Sequence, residues 1–190
     1  MIIVRKARLS DVSRMLPLLE EYTRQAEILP RTQDDIYRTI REWVISEADN
    51  RIIGMGSLLI MWHDLAEIRS LVVNPGYQGQ GVGRGIVIQL IEEAHRLRIP
   101  KVFALTRKPD FFLRIGFQPT KIKHLPRKVN RDCVFCSKFH ACDEVAVITH
   151  LTLQDRLSGS FEPSDPNGTP IIPQTKQSAI HTPYPPGISR

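Results

Sequence analysis

A mixed α/β layer structure is the fold class that this sequence predicts, and three observations predict it. Apolar residues alternate or run continuously over some short segments, as in strands, and recur at helical spacing over others. The segments follow one another as strand, two helices, three strands, helix, strand, helix, strands, with no internal repeat. A glycine-rich turn also joins a continuously apolar strand to a long amphipathic helix.

Residues 2–8 read as a short strand. Ser10-Asp11 then offers a helix N-cap, and Val12, Met15, Leu16, Leu19 and Tyr22 follow on one helical face. Residues 28–31 break that helix. Thr32 can cap a second one, with Gln33, Asp34 and Asp35 in its first turn and Ile36, Ile40 and Trp43 as its apolar stripe. Residues 43–46 and 51–62 predict two antiparallel strands about a turn at 48–50, and His63-Asp64 makes the next turn. Residues 67–73 alternate and then become continuously apolar, as a central strand does, until Asn74-Pro75-Gly76 ends them. A helix is expected over 86–97, with Ile86, Leu90, Ile91 and Ala94 inward. A strand over 101–106, a short helix over 110–115, a turn at Gly116-Phe117 into another strand and a last strand within 143–152 complete the order. The domain is expected to end near residue 154. Seven of the fourteen prolines fall beyond it, with no periodic apolar pattern, so 155–190 is expected to be a disordered tail.

A chain of 190 residues suits one well-buried domain. No apolar run is long enough to span a bilayer, and no leader-like start is evident, so a cytoplasmic location and no membrane partner are expected. The formal net charge of +6 suits a phosphate-bearing cofactor and an acidic small substrate as well as it suits nucleic acid, and no nucleic-acid partner is expected. Lys121, Lys123, Arg127, Lys128 and Arg131 form a run without an acid, read either as a solvated loop or as a rim that attracts anions.

The chemistry concentrates around Gln78, Gly79, Gln80, Gly81, Val82, Gly83 and Arg84. Glycines let main-chain N–H groups approach a ligand closely, and the following helix N-terminus favours an anion, to which Arg84 adds charge. The spacing fits neither a P-loop nor a dinucleotide-binding turn. Gln78-x-x-Gly81-x-Gly83 after a Val-Val-x-Pro strand end resembles the acetyl-CoA motif of the GNAT acetyltransferases, and Gly116-Phe117 after a short amphipathic helix is a second feature of that family. The resemblance covers about residues 1–152. It implies a mostly antiparallel sheet, splayed at the acyl-CoA site, with helices on both faces. It also implies that the amides of 78–84 hold the cofactor diphosphate, that Leu71, Val72 and Val73 pair with the pantetheine arm, and that Phe112 lies at the thioester end. GNAT domains often pair, so a homodimer is compatible with it.

Transfer of an acyl group to an amine needs a base for the amine's proton. Glu67 is the candidate, with Ser70 beside it on the same strand; a salt-bridged strand acid is the competing reading of Glu67. The position that usually carries a tyrosine to protonate the thiolate is here Phe112. Four segments, 4–7, 28–32, 62–71 and 105–112, further resemble the short, stand-alone N-acetylglutamate synthases, which also carry phenylalanine there. That likeness implies acetylation of the α-amino group of L-glutamate, the opening step of arginine biosynthesis. Arginine can grip a carboxylate through two parallel hydrogen bonds, so Arg31, Arg69 and Arg107, with Lys6 and Lys108, are the candidate substrate cations. Each can equally form an ordinary surface ion pair. Another small amine as acceptor, or a catalytically weak acyl-CoA-binding regulatory module, are the competing functions. Cys133, Cys136, His140 and Cys142 admit zinc, reduced packing cysteines or a redox pair, and three cysteines here are also a feature of the short synthases.

Overall fold

Val44 and Ile45 are neighbours in sequence yet belong to different hydrophobic cores, and that division organises the molecule. The computed structural model describes residues 1–136 and 139–151, so the expected tail lies outside the described residues. Among these, seven strands form one sheet: β1 (Ile3–Lys6), β2 (Trp43–Ala48), β3 (Arg51–Trp62), β4 (Leu65–Val73), β5 (Lys101–Thr106), β6 (Gln118–Thr120) and β7 (Val145–His150). Their order is β1-β2-β3-β4-β5-β7-β6. Every pairing is antiparallel except β4 with β5. Helices α1 (Val12–Arg24) and α2 (Gln33–Arg38) cover one face, where Val12, Met15, Leu19 and Ile36 meet Trp43, Ile45 and Met55. Helices α3 (Val82–Arg96) and α4 (Pro109–Leu113) cover the other, where Ile86, Leu90, Ile91 and Phe112 meet Val44, Leu58, Ile68 and Val102. No helix of the described residues is long and apolar enough to cross a membrane.

Local chemistry explains most boundaries. Thr32 caps α2 as expected: its hydroxyl accepts from the Asp35 amide, and Asp35 accepts in return from the Thr32 amide. The β2–β3 turn is closed by Asp49 and Asn50, both left-handed, as a tight hairpin of this hand requires. Two expectations are corrected. The first helix is not capped by a Ser10 or Asp11 side chain; a 3-10 turn over Leu9–Asp11 precedes it, and Asp11 turns back to accept from the Arg8 amide at 2.8 Å. The third helix begins at Val82, not 86, because Gly81 is left-handed and itself caps it, so Gly83 and Gly85 belong to its first turns.

Asp11 is 2% exposed and anchors a charge network. Arg5 donates to both its oxygens at 2.7 and 2.9 Å and also reaches Glu47, while Arg14 bridges Asp11 and Glu47. The Arg5 hydrogen bond chiefly holds the Asp11 carboxyl below its ordinary value. Its stabilisation is therefore full above the unfolded pKa and is lost as pH falls through the lower folded one. Asp11→Ala leaves Arg5 half-supported, and a loss near the lower end of the range for breaking a buried pair, about 3 kcal/mol, is expected in urea unfolding.

Two irregularities position the site. Opposite Gly56, β4 carries both Ser70 and Leu71, because Val72 pairs with Met55 while Arg69 pairs with Ser57. Ser70 is the extra residue of this bulge and sits at φ +51°, which redirects the strand. Beside it, β4 and β5 pair only through Ala66–Val102 and Glu67–Phe103 before they part. The sheet splays there, as the resemblance implied.

Candidate active site

The parted strands open onto a cleft of about 1740 Å³, floored by Glu67 to Leu71 and Val73 on one side and Ala104 to Lys108 on the other. Val72 alternates away and is buried against α1. At one end of the cleft lies the glycine-rich turn. Gly79 and Gly81 adopt positive φ, and a Cβ on Gly83 would come within 3.3 Å of the Phe111 ring. The first helical bond of α3 runs from Gly85 to Gly81, so the amides of Val82, Gly83 and Arg84 lie before it and point out of the helix end. The Arg84 Nε is buried without a hydrogen-bond partner among the described residues. An exposed helix start and an unpaired guanidinium N–H fit an anionic group such as a diphosphate. Gly81→Val should force a branched residue into the left-handed region at a cost of about 1–2 kcal/mol. The expected result is weaker acetyl-CoA binding by calorimetry, with a lowered melting temperature.

Tyr22 secures the strand end. Its hydroxyl donates to the Val73 carbonyl at 2.5 Å, and Gln78 Nε2 donates to that hydroxyl at 2.9 Å and to the same carbonyl at 3.1 Å. The Gln78 side chain therefore braces the turn. Its main-chain N–H, expected on the ligand, donates to the Pro75 carbonyl at 3.3 Å.

Glu67 lies at the splay and is only 3% exposed. Lys128 Nζ meets both its oxygens, at 2.9 and 3.0 Å, and also Asp132 at 2.9 Å. Burial raises the Glu67 carboxyl above its ordinary value, while Lys128 and Arg69 pull it down. Burial likewise opposes the Lys128 ammonium, but Glu67 and Asp132 outweigh it and its pKa is raised. Lys128 comes from the basic run of the sequence, and neither a solvated loop nor a rim describes it. The second half of the run folds into α5 (Pro126–Arg131), anchored by Leu125 in a third core with Phe103 and Leu59, and this places Lys128 inside the cleft. Arg127 instead stacks on Trp62 at 3.7 Å.

The candidate substrate cations divide into three groups. Arg31 and Arg69 face the cleft and a smaller adjoining pocket of about 220 Å³ that also contains Asp35 and Glu42. Arg31 Nε donates to Ser70 Oγ at 3.1 Å. Arg69 reaches Glu42 only at 3.9 Å, and its Nε is buried without a hydrogen-bond partner among the described residues. Burial and then the neighbouring Arg69 charge lower the Arg31 pKa, against the pull of Glu67, Asp35 and Glu42. Arg107 and Lys108 line the cleft but are already engaged: Arg107 with the Ala26 carbonyl and Asp143, Lys108 with Glu27. They fasten the loop after α1 to the end of β5. Lys6 is outside the cleft lining, on edge strand β1 with Glu93 of α3 at 3.9 Å, because its strand position points it toward that helix.

Phe112 lines the cleft, 4% exposed, edge-on to Phe111 and Phe117, and brings no hydroxyl. Cys133, Cys136 and Cys142 are free thiols on the cleft wall. His140 is outside that lining and turns its ring edge-on to Phe139. Among the described residues no three His, Cys, Asp or Glu side chains come together to hold a metal, so the zinc set that the spacing admitted is not assembled.

Lys128, Asp132 and Tyr22 are the residues that sequence reasoning missed. A signal for the first was present: Pro126 suits a first helical position, and Leu125 and Val129 are four apart.

The model of the acetyltransferase (GNAT) family matches residues 12–117. The amino-acid acetyltransferase of Mycobacterium tuberculosis is 36% identical over 127 residues, 65% of this chain and 71% of that protein. A Mycobacterium tuberculosis structure in complex with CoA and NLQ superposes with a TM-score of 0.68 at 26% identity, over 79% of this chain and 99% of that one. The N-acetylglutamate synthase of Neisseria gonorrhoeae, complexed with coenzyme A and N-acetyl-glutamate, shares the fold with a TM-score of 0.69 at 24% identity. That match covers 80% of this chain but spans about a third of the synthase (35%).

Proposed function

Given that the chain belongs to the GNAT acetyltransferase family, we propose that it acetylates the α-amino group of an acidic amino acid, L-glutamate, with acetyl-CoA as donor. The observation that carries this reading is the pair Arg31 and Arg69, half-buried side by side next to Glu67, neither of which makes a hydrogen bond to a carboxylate among the described residues. A ligand with two carboxylates supplies what they lack. The names of the relatives point the same way.

Acetyl-CoA supplies an acetyl group activated as a thioester. The first-turn amides of α3 and Arg84 would hold its diphosphate, and the open edge of β4 past the Ser70 bulge would hold its arm. Arg31 and Arg69 hold the acceptor's carboxylates and present its amine to Glu67. Glu67 takes the ammonium proton, directly or through a water, because only the neutral amine is nucleophilic. A buried carboxylate with a raised pKa is a stronger base than an exposed one, which suits that task. With phenylalanine at 112, the departing thiolate is protonated by water or by another group.

Thiol release from acetyl-CoA, followed against a panel of L-amino acids and simple amines, tests the proposal. Selective turnover of glutamate is expected, with N-acetylglutamate identified as product by mass. A preference for a neutral or basic amine overturns the acceptor but leaves the family and donor standing. Saturable acetyl-CoA binding without turnover of any amine favours a regulatory binding module instead.

A further inference from the structure

Among the described residues Glu67 is held from only one side by an ion pair, and that side belongs to a segment that is not part of the sheet. Lys128 contacts both carboxylate oxygens, so the orientation of the carboxylate plane is fixed by a single ammonium. Lys128 is itself fixed: Asp132, one turn later, takes a further N–H at 2.9 Å, and Leu125 roots the turn in the third core. The Lys128 residue is 8% exposed. A surface lysine has no reason to be desolvated this far, and a buried ion pair contributes little net stability over an apolar replacement. The arrangement makes sense as a device for the carboxylate.

We propose that Lys128 is the positioning residue of the general base: its ammonium, steered by Asp132, keeps Glu67 ionised and aimed into the cleft. The inference rests on the reading of Glu67 as base. Five groups face that carboxylate: Lys128 and Asp132 from the α5 segment, Arg69 from β4, Arg31 from the loop before α2, and Cys133 after Asp132. Lys128 is the cation in direct contact, and Asp132 is the acid that opposes it. Removing the first must therefore move the titration of Glu67 upward, and neutralising the second must not. Arg31 and Arg69 meanwhile turn toward the acceptor pocket.

The test is the pH profile of kcat/KM for Lys128→Gln, Lys128→Arg and Asp132→Asn, beside wild type and Glu67→Gln. Wild type should lose activity as pH falls, with a limb that vanishes in Glu67→Gln. In Lys128→Gln that limb should rise by about one unit or more, with activity at neutral pH down about tenfold and the KM for acetyl-CoA unchanged. Lys128→Arg should restore most of the wild-type profile, and Asp132→Asn should leave the limb in place or lower it. A merely structural role for Lys128 predicts the same fractional loss at every pH, and an unmoved limb in Lys128→Gln overturns the proposal. If Lys128→Gln does not fold, Lys128→Met takes its place, with the same upward limb expected and an unmoved limb overturning the proposal. Survival of the acid limb in Glu67→Gln would remove Glu67 as base, and that result is distinct from a failure of Lys128 alone.

Discussion

Glu67→Gln is expected to lower kcat by roughly 10²–10⁴-fold, the contribution usual for a positioned general base, with little change in KM for either substrate. Glutamine keeps the size and a hydrogen-bonding oxygen of the side chain, so the loss isolates proton acceptance. The ammonium of Lys128 still has Asp132 at 2.9 Å, and the fold should survive the change. The pH dependence follows from the direction of the shift. Burial raises the carboxyl above its ordinary value, only the ionised form accepts a proton, and activity must therefore rise with pH through that raised value. A steady-state profile with acetyl-CoA saturating, together with a melting curve of the variant, checks both statements.

Arg31→Ala and Arg69→Ala should each reduce kcat/KM for the acidic acceptor by about ten- to a hundredfold, since a hydrogen bond to a charged group contributes about 1.5–3 kcal/mol. The loss should fall mainly on the KM for the acceptor, and binding of acetyl-CoA should be unaffected. Arg69 sits in β4, one residue before the bulge, so its direction is set by the strand and not by its own flexibility. Arg69→Lys should recover only part of the loss, because an ammonium cannot reproduce the planar two-point grip on a carboxylate. Arg107→Ala makes a useful contrast. Its guanidinium is already held by Asp143 and the Ala26 carbonyl, so the expected effect is on the fastening of the loop after α1, read as lowered thermal stability, more than on recognition.

How far the sequence revealed this arrangement depended on whether the information was local. The glycine spacing after a Val-Val strand end, the Thr32 cap and the hairpin turns are short-range features, governed by backbone angles and neighbouring side chains, and they were readable. The splay was not derivable from the residues and entered only through the resemblance. Its immediate cause, an extra residue at Ser70 in a left-handed conformation opposite Gly56, is defined by pairing with β3 across the sheet and not by the neighbouring residues alone. Lys128 shows the other limit. A lysine within a run of basic residues looks solvated, and only the packing of Leu125 against Phe103 across 22 positions of sequence carries it to Glu67. The candidate cations were found by type but not by partner: Arg31 and Arg69 have no hydrogen-bonded carboxylate among the described residues, while Arg107 and Lys108 meet acids from distant segments.

The most direct measurement is the ratio of kcat/KM for L-glutamate to that for L-norvaline, an amino acid of similar length without the distal carboxylate, in the wild-type protein and in Arg69→Ala. A ratio of a hundred or more is expected in wild type, which converts to about 2.7 kcal/mol at 1.36 kcal/mol per tenfold, with a sharp fall in the variant. A wild-type ratio near one, with norvaline turned over as readily as glutamate, would contradict it.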